Sequence, residues 1–426
     1  MKYLAGKLPR VFYGWWIVGA CFLISLYSGG AVILGFTAFF QPIANDFGWS
    51  YAQVSLAASL RGSNVALLAP LLGFLVDRWG PRKLIFGGTI ILGLSLIFLS
   101  YINSLSMFYA AFFLVAIGTS SLSPTVIITP VNNWFRKKLG IATGIMASGF
   151  ALGGLLVPAI TTLIDIYDWR TTLFIIGVAT WVICLPLSSL VRHKPEQYGY
   201  VPDGEQNSTA APQEIEIPEK TDETSVGVKE ALKSSIFWRL SLAFASIFMP
   251  ISAMTVHVMP YLNSVGIARS TSSLVAMSLP LGSIVGRLGA GWLCDRFSKR
   301  WAATGFFMIL GIGLLCFSYV SSEGMWLLVI SVIFFGTGWG SNFPLRAALL
   351  REYFGREHFG TIFGFMMGIA ALGGIIGPFF AGWGFDNWDS YRPVWLIFTC
   401  LIFIAVIIMA TTTSTSKDNI QRGNRG

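Results

Sequence analysis

Apolar residues in this chain come in long runs, neither alternating as in a half-buried strand nor confined to one stripe as in a soluble helix, and short polar clusters separate them. A helix needs about 20 apolar residues to cross the hydrocarbon core of a bilayer. On that measure the runs predict spans near residues 12–40, 51–76, 83–103, 107–131, 140–164 and 170–191, then 238–262, 271–294, 301–320, 326–349, 360–384 and 392–412. The polar stretch 192–237 between the two sets is rich in Glu, Pro, Ser and Thr and holds nine of the twenty acids. Such a composition cannot bury a core. The expected organisation is an all-α polytopic membrane protein of twelve transmembrane helices: a six-helix bundle over 1–191, a solvated linker over 192–237 with a short helix near 228–235, a second bundle over 238–412 and a tail over 413–426.

The two halves repeat each other. Gly73 to Lys83 (GFLVDRWGPRK) returns 218 residues later as Gly291 to Arg300 (GWLCDRFSKR), and Ala151 to Gly154 with Pro158 returns 220 residues later as Ala371 to Gly374 with Pro378. Halves repeated in the same order are the sequence mark of a transporter built from parallel repeats about an axis along the membrane normal. Spans one, five and eleven are dense in glycine, at Gly29, Gly30 and Gly35, at Gly144, Gly149, Gly153 and Gly154, and at Gly364, Gly368, Gly373 and Gly374. Close helix packing is the expected role, with Pro158 and Pro378 as hinge points.

Composition agrees: 54% of residues are hydrophobic and 12% charged. The net charge of +9 does not point to nucleic acid, because no basic run exceeds three residues and the bases alternate with apolar segments. They gather in one set of connections, at Lys2, Lys7 and Arg10, at Arg78, Arg82 and Lys83, at Arg136 to Lys138, at Arg296, Lys299 and Arg300, and at Arg351 and Arg356, whereas the opposite connections hold Asp46, Asp165, Asp168, Glu323, Asp386 and Asp389 with Arg269. By the positive-inside bias both termini are expected in the cytoplasm. The first run lacks a small-residue cleavage site and is expected to be a retained span. Cys21, Cys184, Cys294, Cys316 and Cys400 show neither disulfide nor metal spacing. No metal or cofactor is implied, and the absence of a nucleophile paired with a base, and of carboxylates within spans, argues against an enzyme.

Three bases fall inside spans. Arg346, five residues before Arg351, is expected to snorkel to the cytoplasmic surface. Arg287 lies eight residues before Asp295, about 12 Å from the helix edge by helical rise. With no acid at its depth it calls for an anion, and a substrate carboxylate suits its planar fork of donors, a structural arginine bonded to carbonyls being the alternative. Arg61, sixteen residues before Asp77, is a second anion ligand, an outer attracting charge or a snorkelling residue. His257, three residues before Pro260, is a hydrogen-bonded packing residue or the side chain that takes up and releases a proton near neutral pH. Tyr27, Asn64, Ser123, Thr125, Trp339 and Asn342 are further polar residues placed to line a cavity.

The paired stretches at Gly73 to Lys83 and Gly291 to Arg300 resemble the loop signature of the major facilitator superfamily after spans two and eight, and the likeness extends over nearly the whole chain. It implies that Asp77, Arg78, Arg82, Asp295, Arg296 and Arg300 are cytoplasmic gate residues, whose ion pairs latch the halves and break as they rock. Within the superfamily, Trp134 to Gly149 (WFRKKLGIATGIMASG) and Tyr13-Gly14-Trp15-Trp16 resemble the signatures of the monocarboxylate transporters, and Phe47 to Ser50, Pro195 to Gly199 and His257 to Tyr261 are similar to bacterial members of the oxalate:formate antiporter group. The resemblance implies an inner-membrane transporter of small organic monocarboxylates such as lactate or pyruvate, working with protons, in the bilayer and as a monomer, with Arg287 receiving the carboxylate. The alternatives it leaves are a carboxylate exchanger and an exporter of other organic anions or hydrophobic compounds. Two departures matter. The aspartate that animal members carry one turn before the arginine is Ser283 here, and residues 360–384 lack the lysine of the oxalate exchangers. Without the aspartate, coupling falls to His257, to the substrate itself or to neither. One midplane cation favours a monoanion unless Arg61 supplies a second.

Overall fold

The computed structural model describes residues 12–135, 138–201, 227–321, 324–355 and 358–412; most of the linker, both terminal segments, Arg136, Lys137, Glu323 and Arg356 lie outside the described residues. The first half folds as α1 (Tyr13–Tyr27), a π-helical turn (Ser28–Leu34), α2 (Phe36–Phe47), α3 (Tyr51–Trp79), α4 (Pro81–Ser100), α5 (Leu105–Ser121), α6 (Pro124–Trp134), α7 (Leu139–Leu152), a tight turn (Gly153–Leu155), α8 (Leu156–Tyr167) and α9 (Trp169–Leu190). The expected linker helix is α10 (Val228–Lys233), and the second half is α11 (Ser235–Ser264), α12 (Arg269–Arg296), α13 (Lys299–Ser318), α14 (Trp326–Phe354), α15 (Phe359–Trp388) and α16 (Arg392–Thr411). Among the described residues eleven helical stretches are long and apolar enough to cross a membrane. The 29-residue α3, which carries Arg61, packs beside them but is not one of the eleven.

Local chemistry sets the ends of these helices. Ser50 caps α3 in a reciprocal box with Gln53, and the Asp168, Ser104 and Ser234 side chains each accept a backbone N–H in the first turn of α9, α5 and α11. Gly80, at φ 78°, makes the reversal between α3 and α4, and Pro81 follows as the first residue of α4, where its missing N–H leaves nothing unpaired. Successive spans run antiparallel, with α1–α2, α5–α6 and α7–α8 each forming one, so the starts of α1 and α13 and the ends of α12 and α16 share one face, called here the terminal face. The opposite face carries the α2–α3 and α15–α16 turns.

Small residues bring helices together where no lipid-driven force separates protein from hydrocarbon. Gly30 of the π-turn lies against the Gly153 backbone, and a Cβ at Gly30 would overlap it. Likewise Gly286 abuts the Thr337 carbonyl and Gly340 the Ser283 carbonyl, drawing α12 onto α14. Glycine density in spans one and five thus serves packing, but Gly144, Gly364 and Gly368 face open space.

Contacts between the halves gather toward the far face. Asn263 donates to Gln41 at 2.8 Å, the Met259 amide to Thr37 at 3.2 Å, and Arg269 to the Ala38 carbonyl at 3.1 Å. Arg269 also sits 3.0 Å from the Asp165 carboxylate. The seam between the halves leaves a cavity of about 10 Å³ lined by Leu34, Thr37, Met254, Val258, Pro280 and Trp339, which is room for about one water and not for an organic acid. The Asn263, Met259 and Arg269 contacts join the halves at the far face.

Candidate functional site

Arg287 lies nine residues before the end of α12, on the turn facing the first half: Met277 and Pro280, ten and seven residues earlier, pack on Gly154. Its guanidinium donates to the Ala147 carbonyl of α7 at 3.3 Å, a long bond, and no carboxylate pairs with it among the described residues. The side chain is half-buried. A five-donor cation held by one carbonyl keeps most of its donors for an anion. Ser283, one turn earlier, is 1% exposed and spends its hydroxyl on the Pro280 carbonyl at 2.6 Å, within its own helix.

His257 of α11 is fully buried at the seam. Its Nε2 is 2.9 Å from Ser55 Oγ of α3 and 3.0 Å from the Pro378 carbonyl of α15, and its Nδ1 is 2.8 Å from the Tyr391 hydroxyl. The proton positions follow by elimination. The Ser55 hydroxyl already donates to the Tyr51 carbonyl at 2.6 Å, and a carbonyl only accepts, so Nε2 must carry the hydrogen that both receive. Nδ1 then accepts from Tyr391. Burial above all, with Tyr51 and Asp386 adding to it, holds the Tyr391 phenol well above its ordinary range, so it remains a donor. The neutral ring is fully bonded, across both halves, as a hydrogen-bonded packing residue is.

The remaining expected residues are more scattered. The Tyr27 hydroxyl donates to the Ile176 carbonyl of α9 at 2.7 Å, inside the first half. Arg61 donates to the Val32 carbonyl at 3.0 Å. The π-turn disturbs the regular backbone pairing around that carbonyl, so Arg61 supports the distortion that brings Gly30 onto Gly153. Trp339 lines the seam cavity, and Ser123 stands at the N-terminal boundary of α6 without a side-chain capping bond. The side chains of Asn64, Thr125, Asp77 and Asp295 lie outside the described residues. Of the terminal-face group, Arg78 and Arg82 are exposed, Arg296 covers the Trp292 ring at 4.5 Å, and Arg300 donates to the Thr412 carbonyl at 3.0 Å. The ion pair described there joins Lys299 to Glu352 at 3.2 Å.

One expectation is corrected. Arg346 does not snorkel: it is 3% exposed, its guanidinium binds Asn342 Oδ1 and the Met367 sulfur, and it lies over the Phe244 ring at 5.0 Å. Its position along α14 permits escape to the surface, but its direction around the axis points it at α11 and α15.

Asp386 was anticipated only as a loop acid. It lies in the last turn of α15, where its two oxygens accept the backbone amides of Tyr51 and Ala52 at 2.8 and 2.7 Å. These are the first two residues of α3, so an acid of one half caps a helix of the other and complements its positive end. Asp386→Ala is expected to loosen the far face. With a cap contributing about 0.5–2 kcal/mol, a Val258→Cys thiol in a background without the native cysteines should react with an impermeant maleimide about 2- to 30-fold faster. Equal rates in the presence and absence of Asp386 would remove it from the latch.

The Major Facilitator Superfamily model matches residues 15–268 and 253–425. The chain is 24% identical over 420 residues to monocarboxylate transporter 12 of Xenopus laevis, covering 96% of this chain and 91% of that one. It is 25% identical over 372 residues to the oxalate:formate antiporter of Oxalobacter formigenes, covering 86% and 83%. Among solved structures, a bacterial homologue of the human lysosomal transporter Spinster, in an inward-facing and occupied conformation, superposes with a TM-score of 0.72 at 17% identity over 93% of this chain and 96% of that one. The nucleoside transporter NupG superposes at 0.74 with 13% identity over 94% and 100%. Helix order, internal repeat, family model and superposition agree, and the chain belongs to the Major Facilitator Superfamily.

Proposed function

We propose that this protein is a secondary active transporter, not an enzyme, that carries small organic monocarboxylates of the lactate and pyruvate type with protons by alternating access. The observation that carries the reading is Arg287, a half-buried guanidinium on the seam between the halves with one long protein hydrogen bond and no carboxylate beside it among the described residues. A carboxylate offers the planar pair of acceptors that offsets the burial of that charge. The names of the two relatives support the same class of cargo. In this reading α3 is the twelfth span, the two bundles and linker divide at 191 and 237, and both termini lie in the cytoplasm of an inner (plasma) membrane. The far-face contacts are taken as the closed outer side of the alternating-access cycle, in a monomer. Asp77, Arg78, Arg82, Asp295, Arg296 and Arg300 would close the terminal face in the opposite state, and His257 would carry the coupling proton.

The test is uptake of radiolabelled lactate and pyruvate into proteoliposomes with and without an inward proton gradient. Saturable uptake that the gradient accelerates is expected. Folded protein with no saturable carboxylate uptake would end the proposal. A second reading, exchange of one carboxylate for another, is favoured by the antiporter relative and by Ser283, whose hydroxyl is committed within its helix. Uptake that requires internal carboxylate and ignores the gradient would select it.

A further inference from the structure

Arg346 and Asn342 stand one turn apart on α14, 3% and 7% exposed. Arg346 binds the Asn342 side-chain oxygen, and this bond turns the amide so that its nitrogen points elsewhere. Both Arg346 Nε and Asn342 Nδ2 are buried without a hydrogen-bond partner. No acid pairs with Arg346 among the described residues; its neighbours are Met367 and the rings of Phe244 and Phe248, at 5.0 and 6.0 Å. A buried cation with an orphaned donor of its own and another on the amide beside it is an unfilled anion site in chemical terms, because each orphaned donor has lost its water without gaining an acceptor among the described residues. We propose that Arg346 and Asn342 form a second anion-binding position, distinct from Arg287, that accepts a carboxylate with one oxygen on Arg346 Nε–H and one on Asn342 Nδ2–H.

The helix crossing relates the two positions. Gly286 and Gly340 bring α12 and α14 into contact at Thr337 and Ser283, and both helices run toward the terminal face. Counted from the Gly282–Gly336 contact, which agrees with the mean of the other two, Arg287 lies about 8 Å and Arg346 about 15 Å further along, on the same side of the crossing. Their depths therefore differ by about 7 to 8 Å, with the helix axes about 8–10 Å apart. Two sources can supply the second carboxylate: the far end of a dicarboxylate held at Arg287, which rests on the carboxylate reading above, or a separate monocarboxylate. The low exposure of Arg346 places its occupation in a state where α11 and α15 have moved apart, or through the thermal opening of that contact.

The experiment is calorimetric titration of the full-length protein in nanodiscs with acetate and with succinate, for the wild type, Arg346→Gln, Arg346→Lys, Asn342→Ala and Arg287→Gln, each checked for thermal unfolding. A bridging dicarboxylate predicts that Arg346→Gln weakens succinate about tenfold or more and leaves acetate unchanged. Separate anions predict that acetate stoichiometry falls from about two to about one in the same variant, with no preference for succinate. Asn342→Ala follows Arg346→Gln in direction with a smaller change. Folded variants with unaltered succinate affinity and acetate stoichiometry would make Arg346 a structural residue and overturn the proposal. Where Arg346→Gln does not fold, Arg346→Lys decides, since it keeps the charge and loses the Nε–H; unchanged binding then overturns it too. Arg287→Gln reports separately. Acetate affinity and stoichiometry both unchanged by its loss would count against the carboxylate site at Arg287 and leave the Arg346 result standing on its own.

Discussion

Arg287→Ala is expected to reduce kcat/KM for carboxylate uptake by about 10²- to 10⁴-fold, measured in proteoliposomes under a fixed proton gradient. The range comes from two hydrogen bonds to a charged group at about 1.5–3 kcal/mol each, with about 1.4 kcal/mol per factor of ten. Folding should survive the change, because the guanidinium has one described protein bond, 3.3 Å long, and removing a charge from within a span relieves rather than adds desolvation. Unfolding temperature and detergent-solubilised yield should therefore stay near wild type. Arg287→Lys separates charge from shape: an ammonium keeps the attraction and loses the fork, so intermediate uptake is expected, with the loss chiefly in KM. Uptake within about threefold of wild type for Arg287→Ala would show that the carboxylate binds elsewhere.

Helix positions were legible because apolar runs of sufficient length have one stable form in a bilayer, the helix whose backbone bonds are internal. The internal repeat added the relation between halves. What hydropathy does not encode is direction around a helix axis. Arg346 illustrates this: its distance from Arg351 permits snorkelling, yet its side chain points at Phe244 and Phe248. Arg61 also lies at its anticipated place along α3, and its partner is a carbonyl beside a π-turn that no residue pattern announces. Gly29, Gly30 and Gly35 hinted at a departure from regular helix there, but not at its kind. Asp386 was hidden for a different reason. An acid near a helix end reads as a solvated loop charge unless the opposing helix N-terminus is known, and that terminus belongs to the other half, 334 residues away in sequence. Tyr391 escaped likewise, since a tyrosine beside a span resembles an interfacial anchor until His257 is placed against it.

His257→Gln is expected to abolish acceleration of uptake by an inward proton gradient while exchange of carboxylate at equal pH continues. Glutamine retains a donor and an acceptor for the Ser55, Pro378 and Tyr391 positions, so the seam keeps its bonding, but it does not titrate between pH 5 and 8. The neutral histidine has a single place for an incoming proton, Nδ1, because Nε2 already donates. To hold a proton there, the Tyr391 hydroxyl must turn from donor to acceptor. That turn is not isolated: the Tyr391 ring stacks on Phe385 at 4.6 Å, and Phe385 stacks on Tyr51 at 4.5 Å, whose backbone amide is held by Asp386. In the proposed symport a proton on His257 thus acts on a group of residues that joins the halves at the far face, which would link protonation to access. Tyr391→Phe tests the link without touching the titrating group. It leaves Nδ1 unpaired and should shift the pH profile of uptake while preserving carboxylate affinity. A His257→Gln protein whose uptake still follows the gradient would place coupling outside this ring, on the substrate or on another group.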